Sequence, residues 1–405
     1  MTSISITGIG VISSLGIGRE AFWEGCLAAR SGVKQITTFD TEPYSSNVAA
    51  CVVDFTPAGF MSPMTYRRMS RISRMAVAAS NEAVDDSGLC LDRMNRERVA
   101  VVMGTSYGSS SHVDGFYRSL LADGPRGAQP LLFPETVPNA PASHISIYHK
   151  IQGPNATLCQ NEISAETGMA YARSLLDGNV VDVVLLGGAE ELSEILFGCY
   201  DAVGGLNKIR VNKGEDIQPK PGGGLVLGEG AAVLIMERSE SARQRGAKIY
   251  GSLEASIIAG DVSAMGHYAK DGRQMARAIV RSMEKAGIQP VDIDHVSVSA
   301  NYAKDLDIME LEQIESCLQC SNRDMWVSPL KYLIGDFGAA GTTRAAAILL
   351  SLYHQISLPA ISISKLRMAE EMPIEWGPCQ RGTIDKALMT STTFGGGTAA
   401  IIFSK

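Results

Sequence analysis

The sequence predicts an α/β protein built in layers, and three observations lead there. Strand-like runs alternate with helical periodicity along the whole chain. Several of those runs are apolar without interruption, as in a sheet covered on both faces. Segments of the first half are echoed in the second, which predicts two copies of one unit.

The elements follow in order. "SISITGIGVISS" alternates like a strand and lacks the charged start of a secretory leader. Helical spacing covers Tyr66–Ser87, and "RVAVVMGTS" reads as a strand. "NATLCQNEISAETGMAYARSLLDG" (Asn155–Gly178) reads as a strand end, a tight elbow and an amphipathic helix over Ala165–Leu176. "VVDVVLLGGAEE" and Gly222–Ser239 are further strands, and the charged "SESARQRGA" is a solvated helix. Helix Gly272–Ala286, strand "DHVSVSAN", helix Ala339–Tyr353 and strand "GTAAIIFS" complete the pattern. The Gly-rich turn and strand of Gly222–Ser239 return at Phe394–Lys405. The elbow and helix at Glu162 return at Ile334–Gln355. The two units are therefore expected at residues 1–245 and 246–405, joined near Arg238–Tyr250.

Composition narrows the function. With 405 residues, 45% hydrophobic and 20% charged, the chain can bury a large core. A net charge of −7 gives no basic footprint for nucleic acid. No apolar run has transmembrane length. Eight scattered cysteines suit a reduced, cytoplasmic protein. Cys317 and Cys320 form one CxxC without a second pair, read as helix packing and not as a metal site. "GGGLVLGEG" leads into a strand and so is no dinucleotide loop, and neither HExxH nor a Ser-His-Asp arrangement is evident. No metal or cofactor is expected.

"ITGIGVISSLG", "GPNAT", "DVVLLGGAEE", "LGEGAAVLIME", "SPLKYLIGDFGAAG" and "FGGGTAAIIF" together resemble the β-ketoacyl synthases, over essentially the whole chain. The resemblance implies the thiolase-like fold, five layers (α-β-α-β-α) in two pseudo-duplicated halves, assembled as a dimer. A condensing member of that family needs a Cys at the elbow, where a helix N-terminus favours the thiolate. It also needs two His to stabilise the enolate left when malonyl loses CO2. Counting along the motifs puts Glu162 at the Cys position and Ser299 at the first His position. The second falls on Asp336 when counted forward from Lys331, or on Gly335 when counted back from "GAAG". Lys331 keeps the family's Lys, Asp307 and Glu310 its acidic positions, and Phe394 its aromatic gate, with Thr392 at an aromatic site. The chemistry is thus expected to be dismantled, since a carboxylate cannot hold an acyl group as a thiolate does.

Among relatives with a replaced elbow Cys, the resemblance is to the chain-length factors of type II polyketide synthases, whose elbow residue is usually Gln. It implies a heterodimer with an active ketosynthase, contact with acyl carrier protein, and a tunnel that limits the polyketide or polyene intermediate. Tunnel and gate positions carried over are His112, Val113, Phe116, Phe133, Leu196 and Phe197. Glu162 is expected to be paired, protonated or hydrogen-bonded. Two alternatives stay open: a malonyl-carrier decarboxylase using Glu162, Lys331 and Asp336, or a condensing enzyme using Cys159. His144 is read as a packing residue. "YRRMSRISR" (Tyr66–Arg74) is a candidate for steering an acidic carrier, against the plain reading of a solvated helix face.

Overall fold

The computed structural model describes residues 3–264, 266–318, 325–367 and 374–405. Nine strands carry the architecture: β1 (Ile4–Ser13), β2 (Val99–Gly104), β3 (Asn155–Leu158), β4 (Val183–Glu190), β5 (Gly230–Arg238), β6 (Gly251–Gly260), β7 (His295–Ser297), β8 (Lys386–Thr392) and β9 (Gly397–Ser404). Seven helices matter for the site: α1 (Arg71–Ser87), α2 (Ser110–Asp123), α3 (Ser164–Asp177), α4 (Glu194–Ala202), α5 (Arg273–Ala286), α6 (Lys304–Leu318) and α7 (Ala340–His354).

The strands run β7-β8-β9-β6-β1-β5-β4-β2-β3. Strands β2, β3 and β4 pair in parallel. The pairings β4 to β5, β5 to β1, β6 to β9 and β9 to β8 are antiparallel. Three residues of β1, Ile4–Ile6, pair with Gly251–Leu253 of β6 and join the halves at one corner. Strands β1, β2 and β4 are buried at every residue, as the apolar run of β2 predicts, while β1, whose pattern alternates, also buries Ser5 and Thr7.

Helices supply the layers. On one outer face α1 packs on β1, β5 and β4, and on the other α5 packs on β6, β9 and β8, with α6 beside it. Between them α3 and α7 touch each other and strands of both halves. This is the five-layer arrangement. Helix α7 is buried from Ala340 to Leu352, its residues nearly all small or aliphatic, because sheets cover it on both sides. Ser70 caps α1 by accepting from the Ser73 N–H, and Gly88 ends it at φ 65°. The sequence reading missed β6 and β8 as strands and α2, α4 and α6 as helices. Helical spacing from Tyr66 is broken, with a single turn at Pro63–Tyr66 and α1 starting only at Arg71.

Strand β3 is the edge of the path, with Asn155 exposed. Phe133, Leu131, Leu121, Tyr117 and Ile147, all more than half exposed, form an apolar surface on and around α2. Among the described residues no helix is long and apolar enough to cross a membrane. Cys317 Sγ faces the Ala276 carbonyl at 3.7 Å, and Cys320 lies outside the described residues.

Candidate functional site

The elbow is built by chain direction. After β3 the chain turns through Asn161, at φ 49°, and starts α3. The Ser164 hydroxyl ties the turn by accepting from the Gln160 N–H at 2.8 Å. Gly104 allows the close approach, since a Cβ there would lie 2.7 Å from the Ala165 nitrogen. Glu162 is thereby held at the amino end of α3, 5% exposed. The second half repeats the device: Lys331–Ile334 forms one helical turn, Gly335 reverses the chain at φ 74°, and Asp336 precedes α7.

These two turns bring the predicted positions together. Lys331 Nζ lies 2.7 Å from Asp336 Oδ1, with both side chains nearly inaccessible. Asp336 Oδ1 makes no aligned hydrogen bond, so the contact is an ion pair by proximity. Lys331 Nζ also donates to Ser299 Oγ at 3.3 Å. Asn301 Nδ2 donates to Asp336 Oδ2 at 2.5 Å and to the Tyr268 hydroxyl at 3.1 Å. The Thr393 hydroxyl donates to Glu162 Oε2. Burial, then the neighbouring Asp336, raise the Glu162 pKa, while Thr393 and Lys331 oppose the rise. The structure gives Glu162, expected to be paired, protonated or hydrogen-bonded, a hydrogen bond from Thr393.

A small cavity of about 20 Å³ is lined by Glu162, Asp336, Glu190, Glu191, Ser106, Tyr107, Leu196 and Tyr200, among others. None of the six histidines lines it. Among the described residues Glu190 has no ion-pair partner. It accepts from the Thr105 hydroxyl and from the N–H groups of Ser106 and Tyr107, and burial pushes its pKa up to about 7. A wider cleft of about 1160 Å³ is lined by Phe394 and Tyr268 and shares Tyr107, Tyr200 and Leu225 with the small cavity. Phe394 stacks on Tyr268 with ring centroids 4.5 Å apart and leans on Tyr200 at 6.4 Å. Glu162 does not line that cleft.

Other predicted positions lie apart. His112, Val113 and Phe116 stand on α2, and Phe116 packs on Phe133 at 5.8 Å, toward the surface. Phe197 is fully buried against Phe39 and Tyr44. Cys159 is exposed beyond the end of β3, and burial together with Glu190 raises its pKa, opposite to an activated thiol. His144 bonds to buried Glu135, as a packing residue would. In the arginine-rich stretch, Arg71 binds Glu229 at 2.7 Å and Arg74 donates to the Tyr66 carbonyl, while Arg67 and Arg68 are exposed. Asp307 and Glu310 are second neighbours. Asp307 accepts from the Tyr332 hydroxyl at 2.6 Å, and Glu310 accepts from the Ser299 N–H at 2.7 Å. The sequence reading missed Thr393, Asn301, Tyr268, Tyr107, Tyr200 and Glu190. Only Thr393 and Asn301, one and two residues from positions already singled out, carried any signal.

A profile described as the β-ketoacyl synthase N-terminal domain matches residues 1–242, and one for the C-terminal domain matches residues 250–364. The chain belongs to the β-ketoacyl synthase family. Within it, a 3-oxoacyl-[acyl-carrier-protein] synthase 2 of Vibrio harveyi is 29% identical over 99% of this chain and 98% of the relative. A putative polyketide β-ketoacyl synthase 1 of Streptomyces cyaneus is 29% identical over 99% of this chain and 97% of its own. A solved structure titled the ishigamide ketosynthase/chain length factor superposes with a TM-score of 0.88 at 27% identity, covering 100% of this chain and 99% of that one.

Proposed function

We propose that this chain is a chain-length-factor subunit: inactive alone, paired with an active ketosynthase, and shaping the tunnel that receives the growing acyl chain. One observation carries the reading. The scaffold is whole, yet each reactive position holds a residue of a closed internal network: Glu162 bonded by Thr393, and Lys331 joined to Asp336 and Ser299. No thiolate stands at the α3 amino end and no imidazole faces it. The likeness to a ketosynthase/chain length factor structure supports the same assignment, and the carrier-dependent synthases among the relatives support acyl carrier protein as the source of the acyl chain. The unpaired edge of β3 and the apolar surface around Phe133 and Tyr117 suit a partner of the same fold. The tunnel acts by steric limit, since one more two-carbon unit must overpack its wall at about 1–3 kcal/mol. In this reading Phe116 and Phe133 face the partner, and Leu196, Phe197 and Phe394 back the wall.

The decarboxylase alternative asks an enolate to form beside the buried Asp336 carboxylate, where like charge opposes it. The test gives purified protein malonyl-loaded carrier, alone and with an active ketosynthase of the same family. Inertness alone and elongation with the partner are expected. CO2 release by the lone chain supports decarboxylation, and carbon–carbon bond formation by it ends both readings.

A further inference from the structure

Between Leu121 and Asn139 the chain runs over the surface with its polarity inverted. Leu121, Leu131, Phe133 and Val137 are exposed, and the one buried residue of the stretch is an acid, Glu135, 2% exposed. Both of its oxygens are engaged. Oε2 accepts from the Ser70 N–H and from the Ser73 hydroxyl, each at 2.9 Å, and Oε1 bonds to Nε2 of His144. Ser70 caps α1, so the carboxylate sits where the dipole of that 17-residue helix favours negative charge. Burial raises the Glu135 pKa, but His144 and Ser70 outweigh it and bring it down to about 2. The acid is therefore ionised at neutral pH.

Glu135 is the tie between this stretch and the body of the fold. Phe133 packs on Phe116 at 5.8 Å, and Gln129 Nε2 donates to Ser119 Oγ at 3.0 Å, both on α2. Among the described residues the other side-chain hydrogen bond of the stretch, from the Thr136 hydroxyl to the Phe133 carbonyl, stays within it. The stretch leads into helix Ala140–His149, whose Ile147 is also exposed. That helix is joined to the open edge of the sheet: Asn155 of β3 donates from Nδ2 to the Ala142 carbonyl at 3.0 Å and to Ser146 Oγ at 2.7 Å. A partner of the same fold seated along that edge adjoins the helix and the stretch before it, and it would cover apolar side chains that water otherwise meets.

We propose that Glu135 is a positioning residue of the pairing face: it pegs the stretch to the amino end of α1, so that Leu131, Phe133 and Val137 are held outward for the ketosynthase partner. The inference rests on the paired-subunit reading above and deepens it. Glu135 is itself buried and acts through the residues it holds. A stretch already in place loses less conformational entropy on contact than one that must be ordered by the partner. The partner surface that fits is apolar where it meets Leu131 and Phe133.

Sedimentation and titration calorimetry measure pairing of this chain with an active ketosynthase of the same family. Glu135→Ala should weaken pairing at least tenfold, equivalent to about 1.4 kcal/mol, while the lone chain keeps a single melting transition. Trypsin should cut the lone variant after the exposed Arg126 faster than it cuts wild type. Glu135→Gln, with an oxygen for the Ser70 N–H but no charge, should fall between Glu135→Ala and wild type in both measurements. Phe133→Ser should weaken pairing by itself, and Phe133→Ser with Glu135→Ala should lose less than the two single losses together. Glu240→Gln, on the exposed helix Ser239–Gln244, should change neither pairing nor cutting. Unchanged pairing in Glu135→Ala, or additive losses in the double variant, overturns the proposal and leaves the subunit reading standing. Should Glu135→Ala fail to fold, Glu135→Gln pairing as tightly as wild type overturns it. A wild-type chain that pairs with no ketosynthase, or only with its own copies, overturns the subunit reading and this inference with it.

Discussion

Removing one partner of the buried ion pair tests how the dismantled site is held. In Lys331→Met the ammonium 2.7 Å from Asp336 is lost. Asp336, 3% exposed, is then left beside Glu162 with Asn301 as its one side-chain donor among the described residues. Stranding one member of a buried pair costs about 3–5 kcal/mol, because the remaining charge is neither solvated nor compensated. Unfolding entropy of about 2.1 cal/mol/K per residue over 405 residues converts this to a melting shift of about 4–6 °C. The double variant Lys331→Met/Asp336→Asn removes both charges and should recover more than half of the loss. Asn keeps an oxygen for Asn301 Nδ2. Scanning calorimetry of wild type, both single variants and the double variant gives the coupling directly. If Lys331→Met melts within 1 °C of wild type, or if the double variant is no more stable than Lys331→Met, the ion pair does not hold the site and the argument from it fails.

Four further outcomes follow from the same geometry. Glu162 is an acid with a raised folded pKa, so the native state holds its proton at pH values where the unfolded chain, near 4.3, has released it. Its contribution is complete below about 4.3 and is lost as pH rises through the folded value; Glu162→Gln should therefore flatten the fall in stability with pH in urea titrations, and an unchanged slope refutes it. Phe197→Ala empties a fully buried ring site and should destabilise the chain by about 3–5 kcal/mol. Phe116→Ala, at the half-buried surface of α2, should cost under about 1 kcal/mol in the lone chain yet lengthen the products of the paired complex, which chromatography of extracted products would show. Cys159→Ala should leave elongation by the complex intact, since that thiol lies off the α3 amino end with its pKa raised; loss of elongation with pairing preserved would return Cys159 to the chemistry.

The sequence alone determined the layered class, because a strand covered on both faces such as β2 must be apolar throughout and α7, packed on both sides, is nearly all small or aliphatic. Likeness to the family's motifs singled out Glu162, Lys331, Ser299 and Asp336 or Gly335, and the structure joins Lys331 to Asp336 and Ser299. The sequence did not reveal strand β6, whose outer residues Glu254 and Ile257–Gly260 are only partly buried, or helix α6, whose apolar and acidic residues interleave without a clean face. Tertiary structure alone decided which groups meet. Thr393 reaches Glu162 across 231 positions of chain, and Tyr268, Asn301 and Phe394 come together from three separate segments. Local pattern records the periodicity and turn chemistry of a segment. A hydrogen bond between distant segments depends on how whole layers seat against each other, and no single stretch of chain encodes that.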